Sequence, residues 1–242
     1  MLERIFNFVE QYHPGIARTL RGATPDEAAR LEDLAGHRLP ASYLEFLLSM
    51  GSYSGAMLRR FSNFDFTCRA IQEFYAEADR PPPPEYLCIA RNTGGGDQEW
   101  YLDLRPARPE PPVVVIDYYA WVPRPLPQTL PVLFEDLESL LVIGTFLSVR
   151  LPVLPHAAVF SSGRQPEAGD QELLDQLAGA SGLTALPKTG TDTRCYNGPD
   201  LAIYAYQPAG SGMRLEFGAR QPEVFTEVAD QLRTRLSMIR VQ

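Results

Sequence analysis

Apolar residues recur at helical spacing along the first part of the chain. Leu2, Ile5, Phe6 and Val9 fall at i, i+3, i+4 and i+7, which predicts an amphipathic helix at the start. Thr24-Pro25-Asp26-Glu27 reads as a helix start, with Thr24 as the cap, Pro25 in the first turn and Glu27 placed to reach back to the cap. That helix is expected to end near Gly36. After Leu39-Pro40 the run ASYLEFLLSMG predicts a third helix, with Tyr43, Leu44, Leu47 and Leu48 on its buried face and Gly51 as its stop. Residues 57–66 read weakly as extended. CRAIQEFYAEA, residues 68–78, predicts a helix that buries Ile71, Phe74 and Tyr75, and Pro81–Pro84 a stiff polyproline spacer.

The period then changes. Tyr86–Ala90, Glu99–Leu104 and Val113–Tyr119 read as strands, the last rich in β-branched and aromatic residues. Pro131 is expected to open a helix burying Leu133, Phe134, Leu137, Leu140 and Leu141. Past residue 150, LPVLPHAAVFSSGRQPEAGD is rich in proline, glycine and serine and reads as a domain joint. Beyond it the pattern predicts a helix near 170–180, strands at 200–206 and 213–217, and a final helix over 222–240. That helix would bury Val224, Phe225, Val228, Leu232, Leu236 and Ile239. The expectation is an α+β chain with a domain over 1–150 and a small α-β-β-α unit over 151–242. The second unit fits a recognition domain, a dimerisation element or a packed extension equally well.

Charge narrows the partners. The formal net charge is −8, with 20 acidic against 14 basic residues over 1–150. Such a surface repels nucleic acid; it suits a basic partner, but it fits plain solubility as well, the commoner reason for an acidic surface. Cys68, Cys88 and Cys195 are far apart and form no CxxC pair, so they read as buried free thiols of a cytoplasmic protein. The start MLERIFNFVEQYHPG lacks the long apolar run of a signal peptide, and no apolar stretch is long enough to span a membrane.

The search for chemistry returns little. Gly94-Gly95-Gly96-Asp97 looks like a phosphate loop, but a strand-like segment, EWYLDL, follows it where a phosphate loop requires a helix. These glycines are expected to turn a hairpin between antiparallel strands. His13, His37 and His156 show no metal-ligand spacing. GSYSG, residues 51–55, has the glycines of a nucleophile elbow but Tyr53 in place of the serine. Asp97, Glu99, Asp103 and Asp117 are expected near one end of the sheet, where solvated strand ends explain them as well as acid–base chemistry does. Trp100, Trp121, Tyr118 and Tyr119 are core filler or, if exposed, interface anchors. No catalytic, cofactor or metal set emerges, and the chain reads as a non-enzyme.

Three blocks in order resemble the SUKH superfamily, also called the Smi/Knr family: LEDLAGHRLPASYLEFLLSMGSYSG (31–55), EYLCIARNTGGGDQEWYLDLR (85–105), and VVVIDYYAWV followed by TLPVLFEDLESLL. The resemblance covers roughly residues 20–147. It departs from the family pattern in the interrupted glycines of 51–55 and in the proline-rich spacer, and it leaves the last ~90 residues unassigned. It implies a curved antiparallel sheet flanked by helices, and it implies that Leu39, Pro40, Gly95, Gly96, Asp97 and Trp100 define the fold. Bacterial members of that family are largely immunity proteins that neutralise polymorphic toxins, often nucleases, whereas its fungal branch holds regulatory or scaffolding modules. The resemblance thus implies a cognate protein toxin as partner, basic if it acts on nucleic acid. The acidic and aromatic residues Asp97, Glu99, Tyr118, Tyr119 and Trp121, taken as lying on an exposed sheet face and hairpin, are the candidate contacts.

Overall fold

The computed structural model describes the 242-residue chain apart from residues 80, 106, 107, 118–129, 163, 165, 166, 168, 209 and 210. It divides into two units, Met1–Thr145 and Phe146–Gln242. The architecture is α+β, with an antiparallel sheet in each unit.

In the first unit, helix α1 (Leu2–Glu10) buries Leu2, Ile5 and Val9, the stripe that its spacing predicts. Helix α2 (Pro25–Ala35) begins with the expected reciprocal cap. Thr24 Oγ1 accepts from the Glu27 amide at 3.2 Å, and Glu27 Oε2 accepts from the Thr24 amide at 2.7 Å. Helix α3 (Ala41–Met50) forms where predicted, but its buried face is Tyr43, Phe46, Leu47 and Met50. Leu44 is half-buried and Leu48 is 42% exposed. The helix is apolar on several faces, so packing rather than periodicity decides which one turns inward. Gly22 crosses α3 at close range: the Ala23 amide donates to Leu47 O at 2.8 Å, and a Cβ on Gly22 would lie 1.8 Å from Leu48 O.

The sheet of this unit runs β1 (Phe64–Asp65), β2 (Tyr86–Asn92), β3 (Gln98–Asp103), β4 (Val113–Asp117) and β5 (Val132–Phe134), each antiparallel to the next. Helix α4 (Cys68–Glu77) precedes β2 and packs against it. The helix expected from Pro131 is a correction. Val132–Phe134 pairs with β4, and α5 (Leu137–Thr145) starts only where Asp136 Oδ1 accepts from the Ser139 amide at 2.7 Å. An aspartate at the cap outweighs a proline five residues earlier.

The second unit holds the expected α-β-β-α frame inside a larger sheet. Its strands are β6 (His156–Ser161), β7 (Thr184–Ala185), β8 (Thr193–Asn197), β9 (Leu201–Tyr206), β10 (Arg214–Ala219) and β11 (Ile239–Arg240), in the order β11-β6-β10-β9-β8-β7. Helices α6 (Asp170–Ala180) and α7 (Pro222–Leu236) supply Leu174, Leu177, Val228 and Leu232 to a core shared with Phe160, Ile203, Leu215 and Phe217 of the sheet. Two sequence expectations change. The proline-rich stretch read as a joint contains β6, whose Ala158 and Phe160 are buried at strand period. The final helix stops at Leu236 because Ser237 takes a left-handed conformation (φ 51°), and Ile239 is 65% exposed on an edge strand rather than buried.

Arg150, in the segment that opens this unit, is fully buried. Its Nε donates to Asn197 Oδ1 at 2.7 Å, and its Nη2 donates to Gly198 O at 2.7 Å and to Leu201 O at 3.4 Å. The guanidinium thereby ties the turn between β8 and β9 to the segment that opens the unit. Replacement by methionine keeps the stem but strands those oxygens. Arg150→Met is expected to destabilise by about 2–4 kcal/mol, the cost of leaving two or more buried acceptors unpaired. Gly22→Ala is expected to cost on the order of 3 kcal/mol through backbone overlap with α3. Denaturant titration gives both magnitudes. Native-state amide exchange should show the first loss within 146–242 and the second within 1–145.

Candidate functional site

Helix α4 starts at Thr67, whose side chain accepts from the Ala70 amide, and carries Phe74 and Tyr75 towards the sheet. Tyr75 Oη accepts from the Cys88 amide at 3.1 Å, and the Phe74 ring meets Tyr101 at 6.4 Å. These contacts fix the helix over the face of β3 that bears Tyr101. Side chains alternate along a strand, so Glu99 shares that face with Tyr101. A cleft of about 320 Å³ opens there, lined by Phe74, Glu77, Ala78 and Asp79 at the end of α4 and by Arg91, Asn92, Asp97 and Glu99 of the β2–β3 hairpin.

The register of β2 places Arg91. Cys88 opposes Tyr101, but Ala90 opposes Trp100, so one extra residue is inserted between them. This bulge reverses the alternation of β2 and brings Arg91 onto the Glu99 face, as bulges commonly re-aim side chains. Arg91 Nη2 then pairs with Glu77 Oε2 at 2.8 Å. Among the described residues, the cleft therefore holds four carboxylates and one guanidinium.

Glu99 is the group out of balance. It is 7% exposed, and its buried Oε2 has no hydrogen-bond partner. Burial pushes its carboxyl up to about 7, with Asp97 and Asp117 adding to the shift, while its own backbone amide and Arg91 oppose it. Asp103, on the same face of the same strand and equally buried, is treated differently: Arg105 grips it with Nε at 2.9 Å and Nη2 at 2.7 Å.

The candidate contacts separate accordingly. Asp97 is exposed in the hairpin, as expected. Glu99, expected on an exposed face, is buried beneath the last turn of α4, and that is a correction. Asp117 is exposed at the end of β4. Tyr118, Tyr119 and Trp121 lie outside the described residues. Trp100 is buried on the opposite face among Phe61, Phe64, Phe66 and Phe134, at 4.3–5.7 Å between ring centroids. The glycine-rich hairpin turns as expected: Asn92 Oδ1 accepts from the Gly94 amide at 2.8 Å and Gly95 takes φ 85°, while Gly96 is exposed. Leu39 is buried with its amide on Glu32 Oε1, and Pro40 precedes the first turn of α3.

Sequence reasoning missed Glu77, Asp79 and Arg91. One signal was available. Two acidic residues at the C-terminal end of α4 oppose the helix dipole, and such a placement calls for a reason. The three cysteines are free and buried, with the Cys68 thiol pushed up to about 11 by burial, so none is poised as a nucleophile. Among the described residues no cluster of three metal-ligating side chains occurs, and no helix is long and apolar enough to cross a membrane.

Residues 22–142 match the SMI1/KNR4 family (SUKH-1), and the chain belongs to that family. No curated protein or solved structure matches it.

The carboxyl of Glu99 makes stability depend on pH. Its unfolded value is the ordinary 4.5 and its folded value about 7, so between these limits the folded state holds the extra proton. Stability contributed by that proton is present below pH 4.5 and lost as the pH rises to 7. Glu99→Gln removes the dependence. The variant should match the wild type near pH 4.5 and exceed it by on the order of 2–3 kcal/mol at pH 8. Paired urea titrations at the two pH values check this.

Proposed function

We propose that this SUKH-1 member is an immunity protein, a non-enzymatic inhibitor that binds a cognate bacterial toxin in the cytoplasm and covers the toxin's active site. The observation that carries the reading is the acidic cleft between α4 and the β2–β3 hairpin, where Glu77, Asp79 and Asp97 are exposed around the buried Glu99. A toxin that acts on nucleic acid presents a basic cleft to its phosphates. An acidic surface offered by a rigid helix end and hairpin complements such a cleft, speeds encounter and discriminates against acidic partners. The chain's net charge of −8 extends the same field beyond contact distance. The family supports the reading further, since the resemblance implies that its bacterial members largely neutralise toxins.

The test begins with the purified chain as bait in lysate of its source. A single stoichiometric partner is expected, lethal when expressed alone and harmless when co-expressed with this chain. Several harmless partners would instead indicate a regulatory or scaffolding module. With the toxin in hand, Asp79→Lys together with Asp97→Lys should lower the association rate about 10-fold at low salt and flatten its salt dependence. Stopped-flow association at two ionic strengths measures both. An unchanged rate would place the interface elsewhere on the chain.

A further inference from the structure

Within the acidic cleft, Glu99 is the only carboxylate that burial leaves with an unpartnered oxygen. Leaving a buried acceptor unpaired costs free energy, and none of the described residues supplies it a partner. The residues around it define what would. Asp97 and Asp79 stand at the rim, Phe74 forms an apolar wall, and Arg91 is already engaged by Glu77 at 2.8 Å. The cleft, at about 320 Å³, is at the small end for ligand sites, sized for one side chain rather than a cofactor.

We propose that the cleft is a receptor for one arginine side chain of the protein partner, its guanidinium meeting Glu99 at the floor and Asp97 at the rim with its plane along Phe74. The proposal rests on the immunity reading for the identity of the partner, while the site itself is a property of this chain. Arginine fits better than lysine for two reasons. Its fork presents several donors to carboxylates at different positions, and its flat, weakly hydrated face tolerates contact with an aromatic ring. Oε2 of Glu99 is sealed from solvent in the free chain, so a small turn of its side chain presents the carboxylate to the guanidinium, which supplies donors as Arg105 does for Asp103 on the same strand.

Binding is coupled to a proton. The groups facing Glu99 are Glu77 from α4 and Asp79 just beyond it, Arg91 and the neutral thiol of Cys88 from β2, Asp97 from the hairpin and Asp117 from β4. Burial, reinforced by the charges of Asp97 and Asp117, holds a proton on Glu99 near neutrality, and an arriving cation releases it. Affinity therefore rises with pH, because less work is spent on deprotonation.

The experiment uses the full chain and three blocked tripeptides, Gly-Arg-Gly, Gly-Lys-Gly and Gly-citrulline-Gly, followed by amide NMR. The arginine peptide is expected to shift the amides of Ala78, Asp79, Arg91, Asn92, Asp97 and Glu99. Its affinity should rise about 5- to 10-fold from pH 6 to pH 8, as expected for a carboxyl ionising near 7. Glu99→Gln, which keeps shape and polarity, should weaken binding at least about 10-fold at pH 8 and abolish the pH dependence. Lysine should bind several-fold more weakly, and citrulline, which lacks the charge, should not bind. Equal affinity of wild type and Glu99→Gln, equal affinity of arginine and lysine, or shifts confined to other parts of the surface would overturn the proposal, leaving a diffuse acidic field. The two readings fail separately. A chain that binds the arginine peptide in this manner but captures no toxin loses the immunity function and keeps the site. A toxin neutralised equally well by Glu99→Gln removes the site and leaves the function standing.

Discussion

In strand β3 every residue after Gln98 is buried, from Glu99 to Asp103, because α4 covers one face of the sheet and an aromatic cluster around Trp100 covers the other. Two-sided burial is unusual for an antiparallel strand, which commonly keeps one face wet. It forces each polar side chain on β3 to be compensated inside the protein or to remain a cost. Asp103 is compensated by Arg105, which also lies over the Tyr86 ring at 5.0 Å. Glu99 is not, and its raised carboxyl is the electrostatic expression of that difference. Trp100 and Leu102 answer the same constraint on the other face with apolar surface alone.

The arrangement of the cleft follows from that constraint and from the bulge in β2. Without the inserted residue, Arg91 would fall on the face of Trp100, where an aromatic cluster has no place for a guanidinium. With it, Arg91 joins the acidic face and ties the end of α4 to the hairpin through Glu77. Among the described residues a net negative charge remains, on a helix end and a hairpin held by hydrogen bonds and ring contacts as well as by that one ion pair. Carboxylates kept close by other forces form a preorganised site for a cation.

The second unit uses a different device. A buried arginine spends its guanidinium on backbone carbonyls and an asparagine, so the turn after β8 is fixed by donors arriving from a segment about fifty residues earlier in the chain. Its sheet is also wider than its sequence suggests. Thr193–Asn197 and Thr184–Ala185 carry few apolar residues, and a strand whose partner lies at the edge of a sheet needs few.

Local chemistry was written plainly along the chain. The capping box at Thr24, the stripe of α1, the glycine turn of the hairpin and the β-branched run of β4 each follow from neighbours within a few residues, and the blocks that carry the family resemblance are built from such signals. The sequence also puts Asp97 and Glu99 two apart on a strand, hence on one side. What it does not contain is what lies over them. The burial of Glu99 depends on α4, some twenty residues away across a proline spacer, and the company of Arg91 depends on a bulge at Ile89 that no glycine or proline announces. In the same way the apolar period of α7 runs on through Ile239, and only the left-handed turn at Ser237 converts that residue from core to edge strand. Periodicity determines which residues share a face; tertiary packing decides whether that face meets water, because burial is set by elements distant in sequence.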